Sequence, residues 1–187
     1  MRPLFVLAVA AAIVVGGAQA ATTVRFSTLQ QEGFGPVLTT HFGNANLVIM
    51  DSIMGADLDG PFNWAGEKWA QTLNWNANFV ISAAVAEPTT GYKLTIKRIT
   101  LQHFGHGRTQ FCVIAALAKP DPKAPVLQRR SWAVHVVRVS RRLFRSPPMV
   151  AVLRGTDGKL LARGYSTRPT SPVFSSIPPP AAELCRA

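Results

Sequence analysis

Tyr92-Lys93-Leu94-Thr95-Ile96-Lys97-Arg98-Ile99-Thr100-Leu101 is the stretch that decides the fold class. Tyr92, Leu94 and Ile96 fall on one side of an extended chain and Lys93, Thr95 and Lys97 on the other, the two-residue period of a half-buried strand. A connection bounded by Gly105 and Gly107 leads into a second strand at residues 109–118, so the two predict an antiparallel hairpin. Just upstream, Phe79-Val80-Ile81-Ser82-Ala83-Ala84-Val85 lies in a further strand at residues 77–86. It ends in Pro88-Thr89-Thr90-Gly91, where Pro88 fixes φ and Gly91 can take the positive φ of a tight reversal.

Working outward, residues 131–139 read as a strand, and residues 150–153 and 160–165 as a last hairpin on Thr156-Asp157-Gly158. Towards the N-terminus, Val24, Phe26 and Thr28 alternate with Arg25 and Ser27 in a strand at residues 22–29, and Leu47-Val48-Ile49-Met50 marks a buried one. One helix is expected near residues 64–73, with Asn63 as N-cap and Ala65, Trp69 and Leu73 on one face. The chain is therefore mainly β (α+β). The expected form is an antiparallel sheet, or a small sandwich or barrel, with that one helix packed on it.

Arg2, the apolar run from Leu4 to Val15 and Ala18-Gln19-Ala20 have the pattern of a secretory signal peptide. The run is shorter than the roughly 20 residues a spanning helix needs. Residues 1–20 thus predict export to the periplasm or the exterior with cleavage after Ala20, and no transmembrane segment in the mature chain. Residues 21–167 are one domain's worth of sequence, and residues 168–187, with Pro169, Pro172 and Pro178-Pro179-Pro180, read as a Pro-rich tail. An oxidising compartment permits a disulfide between Cys112 and Cys185; a buried thiol and a separate tail thiol is the alternative.

Charge is unevenly spread. Residues 21–90 hold two bases and six acids, whereas residues 91–187 hold seventeen bases and three acids. Outside the cytoplasm such a balance suits an anionic envelope polymer, an anionic lipid surface or an acidic protein partner, and makes nucleic acid a poor partner. Arg141, Arg142 and Arg145, leaving the strand at 131–139, could offer carboxylates or phosphates a bidentate fork, or could simply guard an edge strand. No nucleophile elbow, phosphate-cradling loop or dinucleotide fingerprint is present, so no catalytic residue and no cofactor is expected. His103 and His106 form an H-x-x-H with Cys112 beyond it, but a metal needs further ligands, and no metal site is assigned. His135, among apolar strand neighbours, reads as a sheet histidine.

Residues 76–139 resemble the C-terminal domain of the PrcB family, subunits that stabilise a secreted bacterial protease complex. The likeness is carried by residues 79–85, by Pro88-Thr89-Thr90-Gly91-Tyr92 with the strand that follows, by Phe111-Cys112-Val113-Ile114-Ala115 and by Trp132-Ala133-Val134-His135-Val136-Val137-Arg138-Val139. It implies a non-enzymatic module that stabilises or adapts an envelope or secreted complex, a protease complex among them. The partner-binding residues would be Pro88, Thr89, Thr90, Gly91 and Tyr92 of the turn and, from the basic run and apart from the resemblance, Arg141, Arg142 and Arg145. The same turn is also similar to the loop that chagasin-type inhibitors insert into cysteine proteases, although Lys93 stands where that family carries an aromatic ring.

Overall fold

In a computed structural model, residues 21–34, 44–57, 62–104, 108–144, 150–166 and Cys185 are described. The alternating stretch forms β5 (Lys93–Phe104), and its expected partner β6 (Arg108–Ala118) runs antiparallel beside it. The apolar beat in β5 skips once: Leu94 and Ile96, then Ile99 and Leu101, all reach the core. A register shift between Ile96 and Arg98 absorbs the extra residue as a β-bulge.

The remaining strands are β1 (Thr22–Thr23), β2 (Phe26–Phe34), β3 (Ala45–Met50), β4 (Asn78–Glu87), β7 (Ser131–Ser140), β8 (Val150–Gly155) and β9 (Leu160–Ser166). All nine join one curled sheet in the order β1-β5-β6-β8-β9-β3-β4-β7-β2. The sheet is mixed: β6 with β8 and β3 with β9 are parallel pairs, among otherwise antiparallel neighbours. Gly164 permits the β3–β9 approach, because a Cβ there would lie 2.7 Å from Leu47 Cγ and 2.8 Å from the Leu47 carbonyl carbon.

One expectation is corrected by this order. The segment at 22–29 is not one strand. Its first residues pair with β5, the chain turns at Val24-Arg25, and β2 then pairs with β7 at the other end of the sheet. One short stretch of chain thus touches both ends of the curl. Nor do the strands flanking residues 88–91 pair with each other: β4 lies between β3 and β7, and β5 between β1 and β6. The turn carries the chain across the gap in the curl.

The curl has two apolar faces. Its inside is filled by Leu47, Ile49, Phe79, Ile81, Ile99, Phe111, Val137 and Leu153 among others. Its outside at β4 and β7 is covered by a second cluster containing Trp64, Val80, Ala84, Trp132, Val134 and Val136. β4 and β7 are therefore buried on both sides, and their sequences read as near-continuous apolar runs.

The expected helix at 64–73 is shorter, confined to α2 (Lys68–Thr72), and α1 (Ile53–Asp57) is a second short helix that the pattern did not announce. Asn63 is not its N-cap; that place is taken by Glu67, which makes no side-chain cap bond, while Asn63 Oδ1 accepts from the Ala65 N–H at 3.1 Å. Aromatic packing organises the segment instead: Phe62 stacks on Trp64 at 4.9 Å, and Trp69 donates its indole N–H to Gln30 Oε1 of β2 at 2.7 Å. No helix among the described residues is long and apolar enough to cross a membrane.

Candidate functional site

At one end of the curl β6, β8 and β4 finish, and β9 and β3 begin. Their ends enclose an open groove of about 950 Å³. Its apolar lining comes from Val85, Ala86, Ala115, Leu117, Leu160 and Leu161, and its charges from Glu87, Asp157, Arg130 and Lys159. The β8–β9 turn is held over it by the Thr156 N–H donating to Ala115 O at 3.1 Å, and Asp157 Oδ1 accepts from the Lys159 N–H at 3.0 Å. Arg130 donates to Asn44 Oδ1, which ties the start of β7 to the start of β3. Burial raises the pKa of Glu87, with Lys119 opposing the rise.

The Pro-Thr-Thr-Gly-Tyr segment crosses this mouth, and only part of it faces the groove. Pro88 lines the groove and is exposed. Thr89 and Thr90 face the neighbouring crossing at residues 119–130. Thr89 O accepts from Ser131 Oγ at 2.9 Å. The Thr90 N–H donates to Leu127 O at 3.1 Å, and Thr90 Oγ1 accepts from the Leu127 N–H at 2.9 Å. Gly91 has φ +89, and a Cβ there would lie 2.9 Å from Pro120 Cβ, so glycine suits both the backbone and the space. Tyr92 is half-buried and packs its ring against the inner core.

The two arginines at 141 and 142 part company. Arg141 turns inward: its Nε–H donates to Trp75 O and Asn78 O, each at 2.9 Å, and its Nη2 to Asp51 O at 2.6 Å. It ties a 3₁₀ turn (Arg141–Leu143) to the starts of α1 and β4. Arg142 is exposed and lines a smaller pocket at the far end of the sheet. Arg145 lies outside the described residues, as do residues 1–20, His41, His106 and the tail apart from Cys185.

His135 is 2 % exposed. Its Nδ1 accepts the Ile96 N–H of β5 at 2.8 Å, and its Nε2 lies 2.9 Å from Thr28 Oγ1 of β2. With Nδ1 accepting, the ring proton resides on Nε2 and is donated to Thr28. Gln31 of β2 makes a parallel link, donating through Nε2 to Leu94 O at 2.7 Å and to Thr95 Oγ1 at 2.8 Å. The gap between β5 and the β7–β2 end is therefore closed by side chains. His135 is a structural stitch.

Cys112 and Cys185 are joined in a disulfide that packs with Val152 and Leu160 on the outside of β6 and β8. His103 is exposed near the β5–β6 tip. Among the described residues, no three of His, Cys, Asp or Glu come close enough to hold a metal ion.

Of the groove residues, Glu87, Leu117 and Lys159 were not singled out by the sequence and Asp157 only as a turn residue, because the topology alone brings them together. No family model matches this chain, and neither a curated protein nor a solved structure was found that matches it.

Proposed function

We propose that this protein is an exported, non-enzymatic binding module that holds a segment of a partner protein in the groove beside Pro88 and so stabilises or adapts an envelope or secreted complex. The observation that carries the reading is the groove itself: about 950 Å³, open, and lined by apolar side chains together with charges of both signs. Such a lining suits a peptide segment, whose apolar side chains fill the concavity while its polar groups meet rim charges. Export is supported by the signal-peptide pattern of residues 1–20, and a disulfide is at home in an oxidising compartment. The likeness of residues 76–139 to the PrcB C-terminal domain favours a complex-stabilising role. The chagasin-type reading is less well supported, because the backbone of Thr90 is bonded to Leu127 instead of standing free to enter another protein's cleft.

The test is capture from native envelope extracts by immobilised protein, compared across three forms. Leu117 is exposed at the groove, so Leu117→Arg places charge there without disturbing the core. The wild type and Arg142→Gln should retain the same partner, and Leu117→Arg should lose it at least tenfold by quantitative mass spectrometry. Equal capture by all three forms would refute the groove as the binding surface.

A further inference from the structure

The geometry points to a phosphoryl-binding site at the opposite end of β4, formed by Arg25, Arg138 and Arg142 and independent of the groove. These three side chains line one pocket of about 460 Å³ together with Ser27, Asn78 and Ser140, and among the described residues no carboxylate lines it. They come from two separate parts of the chain. Arg25 sits at the corner where the N-terminal segment leaves β5 for β7. Arg138 lies on the outer side of β7, opposite Ser27 in register, and Arg142 follows in the 3₁₀ turn.

All three arginines are exposed, and among the described residues none is paired with an acid. Arg138 donates its Nε–H to Ser27 Oγ at 2.6 Å, which orients the guanidinium at the pocket. Three guanidinium groups gathered without a counter-charge repel one another, and an anion entering between them removes that repulsion. A phosphoryl group presents several acceptor oxygens to forked donors, which is the geometry arginine meets bidentately and lysine does not. The hydroxyls of Ser27 and Ser140 add neutral donors on the same lining. The ligand class is therefore a phosphoryl group, free or on a lipid headgroup.

The β4 residues of the groove and of this pocket, Glu87 and Asn78, stand nine positions apart, roughly 30 Å along the strand. Among the described residues, none lines both.

Calorimetric titration with inorganic pyrophosphate and co-sedimentation with phosphatidylglycerol or phosphatidylcholine vesicles test the site. The forms to compare are wild type, Arg25→Gln/Arg142→Gln, the triple variant adding Arg138→Gln, and Arg163→Gln as an exposed charge control on β9. The double variant removes two exposed side chains and keeps the Arg138–Ser27 bond, so it tests the site even if the triple variant folds poorly. Binding should fall at least tenfold in the double variant and stay within twofold in Arg163→Gln. Pyrophosphate binding without vesicle binding assigns a free phosphoryl ligand. Binding confined to phosphatidylglycerol vesicles, and lost with the arginines, assigns a headgroup. Binding to neither probe, or equal losses in the double variant and the control, overturns the proposal.

Discussion

His135 offers the sharpest test of how the curl is closed. Its imidazole is held neutral in the fold, with the pKa lowered from 6.5 to about 4 by burial and by the nearby Lys93. Nδ1 already accepts the Ile96 N–H, so protonating it would set one N–H against another in the seam. The sign follows from linkage: below 6.5 the unfolded chain takes up a proton that the folded chain refuses. The contribution is whole above pH 6.5 and declines as pH falls towards 4. Allowing for water near the seam, the loss between pH 7 and pH 4.5 amounts to about 2 kcal/mol. For a chain of this size that is a fall in Tm on the order of 5 °C. His135→Gln removes the titrating group, so its stability should be lower at pH 7 and fall less as the pH drops. Urea denaturation of both proteins at pH 7, 6, 5 and 4.5 reads the difference directly. Other titrating groups, Glu87 included, are common to the two proteins and cancel in the comparison. Parallel stability curves across that range would refute the stitch.

Two further outcomes are expected. The Cys112–Cys185 bridge spans 73 residues of sequence, so Cys112→Ser/Cys185→Ser should lose about 4 kcal/mol in urea denaturation through the freed entropy of the unfolded chain; unchanged midpoints would show that the bridge does not form. Arg141→Gln should cost about 2–3 kcal/mol by thermal or urea melting, since three carbonyls lose a charged donor, whereas Arg142→Gln should stay within about 0.5 kcal/mol.

The strands were readable because one face of each is buried and the period of two survives in the sequence. Even the bulge in β5 is written there, in the two residues separating Ile96 from Ile99 where one would keep the beat. The corner at Val24-Arg25 was not readable. Val24, Phe26 and Thr28 keep the same alternation across it, because Val24 and Phe26 on either side of the corner pack into the same interior, and a change of partner strand leaves no trace in side-chain polarity. The helix was over-read for a related reason. Ala65, Trp69 and Leu73 have helical spacing, but Trp64, Trp69 and Trp75 form a chain of tilted rings that fixes the segment by packing instead of by repeated helical turns. The groove was invisible because its residues come from the ends of β3, β4, β6, β8 and β9, which the order of strands alone assembles. The adjacent Arg141 and Arg142 looked alike in sequence and separate only in the turn that sends one in and the other out.

The same topology explains why the split of charge along the chain is not a split in space. β7, from the basic half, lies between β4 and β2 of the acidic half, and β3 lies between β4 and β9. Where the halves meet, arginines find backbone and amide oxygens: Arg141 binds the carbonyls of Asp51, Trp75 and Asn78, and Arg130 binds Asn44. A carbonyl satisfies the hydrogen bonds of a guanidinium but leaves its net charge in place. Positive charge thus remains at the surface wherever acids are locally absent, as at Arg25, Arg138 and Arg142, and is balanced where they are present, as at the groove with Glu87 and Asp157. One interleaved sheet therefore presents a mixed-charge, largely apolar mouth at one end of β4 and a purely cationic pocket at the other. On the two proposals those surfaces would take different ligands, a peptide segment and a phosphoryl group, and with no shared lining residue among the described residues neither should displace the other.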